Sequence, residues 1–368
     1  MPHPIIAVAM SGGVDSSTVA ALLLAEGRRL IGFTMQVWDP RRLPELAAGT
    51  RASRVRSGDN IEQARQVARR LGIAHHVVKL QDSFERLVVG PFITEYLKGR
   101  TPIPCAVCNR VIKFGELFRL ASEAGAERIA TGHYARIRRD PATGRYQLLR
   151  GVDPAKDQSY FLFGMSQQQL ARVLFPLGSY TKEQVREKAR ELGLPVAGKG
   201  ESQEICFIPN GDYVAFIDAY FREQGRAKPD CRGQIVNREG KVLGEHAGVH
   251  RFTVGQRRGL GIATGEPLYV IATEPATQRV VVGRGEDLLG NRLQAAGVNW
   301  VSVAAPSKPL RARVRIRNQH QPAPATLYPG SEASRVEVRF DEPQRAITPG
   351  QAAVFYDGDV VLGGGWIE

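Results

Sequence analysis

Ile5-Ile6-Ala7-Val8-Ala9-Met10-Ser11-Gly12-Gly13-Val14-Asp15-Ser16-Ser17 is the stretch that decides the fold of this chain. Its apolar run predicts a buried strand from Ile5 to Met10, and the pattern that opens at Asp15 predicts a helix that Gly27 ends. Glycines between a strand and a helix let backbone N–H groups and the positive end of the helix dipole face an anion. The stretch therefore predicts a phosphate-binding loop, although an ordinary glycine-rich turn between a strand and a helix has the same sequence pattern. It is not a Walker loop, because it lacks that spacing and the loop lysine.

Strand and helix patterns alternate beyond this stretch. The alternation predicts an α/β fold with a doubly wound parallel sheet and ligands at the carboxyl ends of its strands. Pro40–Gly58, rich in arginine and broken by prolines, predicts a mobile loop. The predicted strands are Leu30–Val37, His75–Leu80, Ile129–Thr131 and Tyr146–Leu149, and the predicted helices are Asn60–Leu71, Phe84–Leu97, Ile112–Ala124, Ser166–Leu174 and Lys182–Leu192.

The sequence pattern changes after about residue 205, where short β-type runs are separated by closely spaced glycines. Such spacing predicts small β-rich domains or barrels. We expect three domains: 1–204 as the catalytic domain, 205–288 as a small central β-rich domain, and 289–368 as a barrel-like domain. The β-type runs are Gly233–Val236, Val242–Leu243, Leu268–Thr273, Arg279–Val282, Val298–Val303, Leu310–Ile316, Ser334–Phe340 and Ala353–Tyr356.

The amino-acid composition limits which classes of function this chain can have. Of the 368 residues, 50 are Lys or Arg and 37 are Asp or Glu, which gives a formal net charge of +13. An excess of this size favours a polyanion partner, because neutralised phosphates release counterions, although a charge that serves only solubility would look the same. No apolar run is long enough to span a bilayer and no signal pattern is present, so we expect a cytoplasmic protein without a membrane partner.

Four cysteines are present: Cys105, Cys108, Cys206 and Cys231. The first two form a C-x-x-C that is expected just before a helix, whose positive end would lower a thiol pKa. A redox dithiol, half of a zinc or iron–sulfur site, and a chance pair all fit this spacing. Cys206 fits either a buried inert thiol or an exposed reactive one. Cys231 has no reactive context and is interpreted as incidental.

The glycine loop resembles the pyrophosphate loop of the N-type ATP pyrophosphatases, the PP-loop superfamily, which split ATP between the α- and β-phosphates and adenylate a substrate oxygen. With the other motifs, the chain resembles the bacterial tRNA-specific 2-thiouridylase family, whose members convert the C2 oxygen of the wobble uridine to sulfur. The motifs that carry this likeness are Ser11–Ser16, Gly99–Phe114, Ala130–Arg136, Lys156–Leu162, Ser202–Ile208, Phe252–Gly261 and Val361–Ile367.

The resemblance implies two sets of binding residues. ATP would contact the loop, a strand end and a glycine after a strand: Ala9, Met10, Ser11, Gly12, Gly13, Val14, Asp15, Ser16, Met35 and Gly132. The target base would lie near one short segment, and the rest of the tRNA near two others and the C-terminal β-domain: Ile103, Pro104, Cys105, His133, Lys156, Asp157, Gln158, Arg317, Asn318 and Gln351. Ile103 replaces the usual Asn of the family, Asn318 replaces the usual Tyr, and the Pro40–Gly58 loop is longer and less acidic than the family pattern.

The resemblance also implies roles for three thiols. Cys206 would receive sulfur as a persulfide, and Cys108 would be the partner thiol that helps release it. Many members carry an aspartate with acid–base work where this chain has Cys105. Others carry cysteine there, and Cys105, Cys108 and Cys206 could then ligate three irons of a [4Fe–4S] cluster. A third thiol at ligand spacing favours the cluster over the persulfide route.

These implications together predict ATP-dependent 2-thiolation of tRNA. The expected cofactors are ATP and Mg²⁺, with a [4Fe–4S] cluster as the alternative route. The expected partners are tRNA and a persulfide sulfur carrier or cysteine desulfurase. The resemblance points to the tRNA isoacceptors for Lys, Glu and Gln. Two other readings are another PP-loop adenylating ligase and a non-catalytic RNA-binding iron–sulfur protein. The intact Ser11, Asp15 and Ser16 disfavour the second.

Overall fold

The computed structural model describes residues 4–47, 57–198, 205–208, 211–263 and 265–368. The chain divides into two compact units whose segments interleave along the sequence. The first unit comprises residues 1–88, 105–223 and 359–361, and the second comprises 89–104, 224–358 and 362–368. Each unit is described by itself below.

The first unit is built on a five-stranded parallel sheet in the order β3-β2-β1-β4-β7. The prediction of a doubly wound parallel sheet is confirmed. Strand order reverses at β1, because β2 and β3 lie on one side of it and β4 lies on the other. Such a switch point forms a crevice at the carboxyl ends of the two central strands. The strands of this unit are β1 Ile5–Ala9, β2 Arg29–Gln36, β3 Ala74–Lys79, β4 Arg128–Ala130, β5 Ala135–Arg139, β6 Tyr146–Arg150 and β7 Val173–Leu174.

Helices cover this sheet and bury its apolar side chains, with Val8 of β1, Val19 of the first helix and Val185 of a later helix all fully buried in one core. The helices of the described residues are α1 Val14–Ala25, α2 Pro44–Ala47, α3 Ser57–Leu71, α4 Gln81–Phe84, α5 Gly90–Leu97, α6 Pro104–Cys108, α7 Phe118–Glu123, α8 Gln167–Leu170, α9 Lys182–Glu191 and α10 Tyr213–Glu223, with π-helical segments Glu85–Val89 and Asn109–Leu117. Of these helices, α5 belongs to the second unit. Shorter 3₁₀ turns are Pro40–Arg42, Ser159–Leu162, Pro176–Ser179, Val249–Arg251 and Gly285–Leu288.

Several predictions for the first unit need correction. The helix that was expected to follow the C-x-x-C begins at Pro104 and runs through both cysteines, because the π-helical segment joins α6 to α7. The part of the expected loop Pro40–Gly58 that is described is helical at Pro40–Arg42, Pro44–Ala47 and from Ser57, and residues 48–56 lie outside the described ranges. Strand β5 and helix α10 carried no sequence expectation.

The second unit contains a four-stranded sheet in the order β10-β11-β8-β9 and a six-stranded barrel. The barrel order is β12-β15-β14-β13-β16-β17, and β12 pairs with β17 to close it. The strands are β8 Gly233–Val236, β9 Val242–His246, β10 Tyr269–Glu274, β11 Arg279–Gly283, β12 Leu289–Asn299, β13 Leu310–Arg315, β14 Ala323–Pro329, β15 Val336–Arg345, β16 Ala352–Asp357 and β17 Val360–Ile367. The prediction of β-rich C-terminal structure, barrel-like at the end, is confirmed.

Two barrel strands, β14 and β17, were missed, and the predicted run Val298–Val303 overlaps β12 only at its last two residues. Pro324 and Pro329 in β14 and three consecutive glycines in β17 suppress the usual strand signal. The first residues of β17 belong to the first unit, where Val360 and Val361 pair with Leu149 and Leu148 of β6. Among the residues described, no helix is long and apolar enough to cross a membrane.

Candidate active site

The loop between β1 and α1 is held in a shape that only glycine permits. Gly12 has a positive φ of 69°, and a Cβ at this position would lie 2.2 Å from the carbonyl oxygen of Asn60 in α3. Gly13 stands at the N-cap of α1 and has no side chain to bond the first N–H groups of the helix. The helix N-terminus is therefore open to an anion at the carboxyl edge of the sheet.

Hydroxyl groups organise the same loop from inside. Ser16 Oγ accepts from the backbone N–H of Ser11 at 3.1 Å and lies 3.2 Å from Ser11 Oγ. Ser17 Oγ and Thr18 Oγ1 donate to backbone carbonyls of the preceding turn at 2.9 and 2.8 Å. Because these bonds satisfy the hydroxyls locally, three polar side chains at the start of α1 can be buried without loss. Ser11 itself is exposed and stays accessible to a ligand.

Asp15 is held from two sides. Its carboxylate lies 2.7 and 2.8 Å from Lys182 Nζ, and its Oδ1 accepts from the Tyr134 hydroxyl at 2.9 Å. Gly132 follows β4 and closes the crevice, since a Cβ there would lie 2.9 Å from Asp15 Cβ and 3.1 Å from Ser16 N. Only a glycine therefore allows the end of β4 to approach the loop at the switch point.

Met35 lies at the same edge. Register pairs Ala9 of β1 with Phe33 of β2, so Met35 extends two residues beyond the last pair and stands beside the loop. Its neighbour Thr34 fixes this end of the sheet, because Thr34 Oγ1 donates to the Met10 carbonyl at 2.7 Å. The residues expected to contact ATP therefore converge on one crevice.

Three thiols also converge within the first unit. Cys105 and Cys108 lie one turn apart in α6, and the charges of both act on Cys206, which is far away in sequence. Cys105 and Cys206 retain exposed surface, but protein atoms crowd around all three sulfurs. Cys231 lies in the second unit, partly buried against the core of the four-stranded sheet.

The pKa of each of the three clustered thiols is raised, whereas the helix dipole argument predicted a lowered pKa for the pair Cys105 and Cys108. Burial raises the pKa of Cys105 and of Cys108. Burial, together with the charges of Cys108 and Cys105, raises the pKa of Cys206 to about 12. Desolvation outweighs the helix terminus because a thiolate loses its hydration in a crowded site. The thiols are therefore neutral at pH 7.

A measurement of alkylation rate tests this directly. We expect iodoacetamide to modify Cys206 about tenfold faster for each pH unit between about pH 8 and about pH 10, because only the thiolate reacts and its fraction rises with pH below a pKa of about 12. Peptide mass spectrometry would follow the Cys206 peptide separately from the others. A rate that levels off near pH 8 would contradict the raised pKa.

Lys113 is the cation that the three thiols share. Its charge acts to lower the pKa of Cys105, Cys108 and Cys206, against the larger effect of burial. Lys113 Nζ lies 3.5 Å from Nε2 of His133, and Nδ1 of His133 lies 2.6 Å from Thr131 Oγ1. Burial and the lysine hold the pKa of His133 well below its usual range, so the ring is neutral. With the ammonium as donor, Nδ1 carries the ring proton and donates to Thr131.

No three Cys, His, Asp or Glu side chains come together to hold a metal ion in the ranges that the structure describes. The thiols are close enough to influence one another's pKa, but their arrangement is not that of a ligand set.

Comparison with known proteins identifies the family. The model described as the tRNA methyl transferase HUP domain matches residues 5–210, the PRC-barrel domain of the same name matches 223–284, and the aminomethyltransferase beta-barrel domain matches 291–367. The tRNA-specific 2-thiouridylase MnmA of Solibacter usitatus (strain Ellin6076) is 60% identical over 100% of both chains. The chain belongs to the tRNA-specific 2-thiouridylase family. The 2-thiouridylase of Koribacter versatilis (strain Ellin345) is 55% identical over 98% of both chains.

A solved structure with a distant likeness is the U34-tRNA thiolase NcsA from Methanococcus maripaludis with its [4Fe-4S] cluster. It is 17% identical, covers 63% of this chain and 76% of its own, and superposes with a TM-score of 0.35. A likeness this weak assigns no site in this 2-thiouridylase family member.

Of the residues that the 2-thiouridylase resemblance assigns to tRNA in the first unit, two are buried. The carboxylate of Asp157 accepts from the backbone N–H groups of Gly151 and Ser159, both at 3.1 Å, and its side chain has no exposed surface. His133 is 8% exposed and packs against aromatic rings. These two side chains hold the structure of their loops. Lys156 and Gln158 are half-buried and keep accessible surface.

The residues of the second unit that the resemblance assigns to tRNA form two groups. Gln351 Nε2 donates to the Thr101 carbonyl at 2.9 Å, which fixes the segment that leads to the buried Ile103 and Pro104. Arg317, half-buried, donates to the Arg345 carbonyl at 2.8 Å, and Asn318 is exposed. The side chain of Ile103 is only 7% exposed.

Sequence reasoning did not assign a role to Lys182, Tyr134, Lys113 or Thr131. Tyr134 and Thr131 stand inside the Ala130–Arg136 motif, and Lys113 stands in the motif after the C-x-x-C, so a signal was present for these three. Lys182 is the first residue of α9 and is 167 positions from Asp15, and no local pattern marks it.

Proposed function

We propose that this chain is an ATP-dependent tRNA-uridine 2-sulfurtransferase, which adenylates the C2 oxygen of the wobble uridine and then replaces that oxygen with sulfur. The observation that carries the proposal is that one unit holds both a PP-loop crevice and three interacting thiols. An adenylating ligase without sulfur chemistry has no use for those thiols. Membership of the 2-thiouridylase family supports the same conclusion.

The first step makes the C2 oxygen a leaving group. That oxygen attacks the α-phosphorus of ATP, the bond to the β-phosphate oxygen breaks, and pyrophosphate departs. The open N-terminus of α1 and the loop N–H groups would face the phosphates. Mg²⁺ would neutralise charge on the departing pyrophosphate. The loop carboxylate of Asp15 could hold this ion, because Mg²⁺ commonly binds one carboxylate together with substrate phosphates.

The second step transfers sulfur. The outer sulfur of a Cys206 persulfide attacks C2, and the bond from C2 to the adenylated oxygen breaks and releases AMP. The Cys108 thiol then attacks the inner sulfur of Cys206, so that the S–S bond to the transferred atom breaks and leaves the thione on the base. The two thiols are oxidised to a Cys108–Cys206 disulfide while the transferred sulfur is reduced, and an external thiol restores the enzyme. This sequence follows the covalent logic of a nucleophile with a partner group.

Lys113 is placed to favour the ionised forms that this step requires. Its positive charge opposes the desolvation that keeps the thiols protonated. His133, neutral and buried, fixes the lysine through Nε2 and is itself fixed by Thr131. We assign these two residues to holding the lysine in position beside the thiols.

We propose the persulfide and disulfide route, not a [4Fe–4S] cluster. What supports the route is the proximity of its two thiols, since the charge of Cys108 acts on Cys206 beside Lys113. Cys105 then has no obligatory covalent role and stands where many relatives carry aspartate. Iron and sulfide analysis of anaerobically purified protein tests this choice.

The proposed substrate is the anticodon of tRNA for Lys, Glu and Gln, and the proposed sulfur source is a persulfide carrier or a cysteine desulfurase in the cytoplasm. The net charge of +13 suits a nucleic acid partner. Ile103, Pro104 and Cys105 are proposed near the target base, with Lys156, Gln158, Arg317, Asn318 and Gln351 as further contacts. His133 and Asp157 would act by shaping their loops.

The test is pyrophosphate release measured with and without unmodified tRNA, followed by mass spectrometry of the nucleosides. We expect pyrophosphate to form only when tRNA is added, and 2-thiouridine to appear when a persulfide donor is also present. Pyrophosphate release that needs a small acid or amine in place of tRNA would instead indicate another adenylating ligase. RNA binding without pyrophosphate release would indicate a non-catalytic protein.

A further inference from the structure

Arg42 joins two carboxylates from distant parts of the first unit. Its Nε and Nη2 donate to Glu223 of α10 at 2.6 and 2.8 Å, and its Nη1 donates to Glu85 at 2.5 Å. The Tyr220 hydroxyl donates to the same Glu85 at 2.8 Å. The side chains of Arg42, Glu85 and Glu223 are each only 25% exposed. Paired charge-assisted bonds of this kind fix both distance and orientation.

The same guanidinium lies on an aromatic cluster. It stacks over Trp38 at 4.7 Å from the ring centre. Trp38 contacts Phe207 and Phe216, with ring centres 6.3 and 5.5 Å apart. Phe207 also contacts Phe84 at 5.5 Å and Phe216 at 5.2 Å, and it is 2% exposed. The cluster therefore anchors Phe207 firmly.

Phe207 is the residue that follows Cys206. Adjacent Cα atoms are separated by about 3.8 Å, so a fixed Phe207 confines the backbone of Cys206. Cys206 as a residue retains exposed surface, whereas the side chain of Phe207 is buried in the core. The position of the thiol relative to Cys108 therefore depends on how tightly Phe207 is held.

We propose that Arg42, Glu85 and Glu223 form a clamp that positions Cys206 for sulfur transfer, acting through Trp38 and Phe207. The proposal rests on the proposed function, in which Cys206 carries the sulfur. Arg42 belongs to the arginine-rich segment that departs from the family pattern and that the sequence predicted to be a mobile loop. It is a positioning residue, because its contacts lead to Phe207 and not to the reacting atoms.

Substitution of Arg42 separates positioning from chemistry. Arg42→Met keeps an aliphatic stem over Trp38 but removes the charge and the planar fork. We expect 2-thiouridine formation to fall at least about tenfold, because small displacements of a reacting group cost large factors in rate, while tRNA-dependent pyrophosphate release stays within about twofold. Arg42→Lys should lie between this variant and the wild type. The matched control is Arg41→Met, since Arg41 is exposed and bonds Asp39, two residues before it.

Two results would overturn the clamp. One is unchanged thiolation in Arg42→Met, and the other is a loss of pyrophosphate release in proportion to thiolation, which would mean general destabilisation. If Arg42→Met does not fold, Glu223→Gln is the milder variant, because the bonds from Arg42 to Glu85 remain. We expect about a threefold loss of thiolation in that variant, again with pyrophosphate release retained, and unchanged thiolation there would also overturn the clamp.

Alkylation distinguishes a failed clamp from a failed function. If the wild type forms neither pyrophosphate nor 2-thiouridine, the proposed function is wrong. The clamp is still measurable in that case, because Arg42→Met should change the iodoacetamide rate at Cys206 at least about threefold and leave the rate at Cys231 unchanged. Equal Cys206 rates in the two proteins would contradict the clamp.

Discussion

Replacing Asp15 with asparagine is expected to lower tRNA-dependent pyrophosphate release by at least about 100-fold, the size of effect that follows loss of a charged group aimed at a reacting phosphate. Asp15 stands at the open N-terminus of α1 and is oriented by Lys182 and Tyr134. Asparagine keeps the shape and can still accept from the tyrosine, but it removes the charge that would hold Mg²⁺ and leaves Lys182 without its ionic partner. The binding of tRNA to the variant should remain close to that of the wild type.

Stability must be followed in the same experiment. Breaking a fully buried ion pair costs about 3–5 kcal/mol, and the cost should be lower here because the Asp15 side chain is 31% exposed. Thermal unfolding would show whether the variant is folded at the assay temperature. Asp359→Asn is a matched control, because Asp359 makes an exposed pair with Arg136 in the same unit. Pyrophosphate formation by a folded Asp15→Asn protein at the wild-type rate would rule out the assignment of the loop.

Replacing Cys206 or Cys108 with serine is expected to abolish sulfur incorporation, by at least about 1000-fold, because serine can neither carry a persulfide nor close a disulfide. Pyrophosphate release should remain within about threefold, since adenylation needs neither thiol. Cys231→Ser should thiolate normally, because this thiol packs against the core of the four-stranded sheet in the second unit. Nucleoside mass spectrometry and pyrophosphate assays on the same preparations would separate the two steps.

Cys105 decides between the two mechanisms. Cys105→Asp should retain activity within about tenfold if the persulfide route operates, because the substitution leaves Cys108 and Cys206 in place. A Cys105→Ala protein that loses bound iron and activity together would instead establish the cluster. Full activity of an iron-free, aerobic wild-type preparation supplied with a persulfide donor would agree with the route proposed here.

Local sequence patterns determined the catalytic fold. The apolar run into Ser11-Gly12-Gly13 predicted the strand, turn and helix, and the alternation after it predicted the parallel sheet that the structure contains. The glycine-spaced β runs predicted the β-rich end of the chain. These strands and helices could be predicted because periodicity and turn residues act over a few neighbouring positions. The C-x-x-C and Cys206 could be singled out for the same reason, as residue types in a local context.

Only the tertiary structure decided the pKa shifts and which charged side chains form ion pairs. Asp15 meets Lys182 across 167 positions, and Arg42 meets Glu223 across 181. The helix terminus wrongly predicted a lowered pKa for Cys105 and Cys108, because burial of these thiols by the folded protein raises their pKa. Short-range patterns fix which elements form, whereas ion pairs, desolvation and the convergence of three thiols depend on which elements pack together.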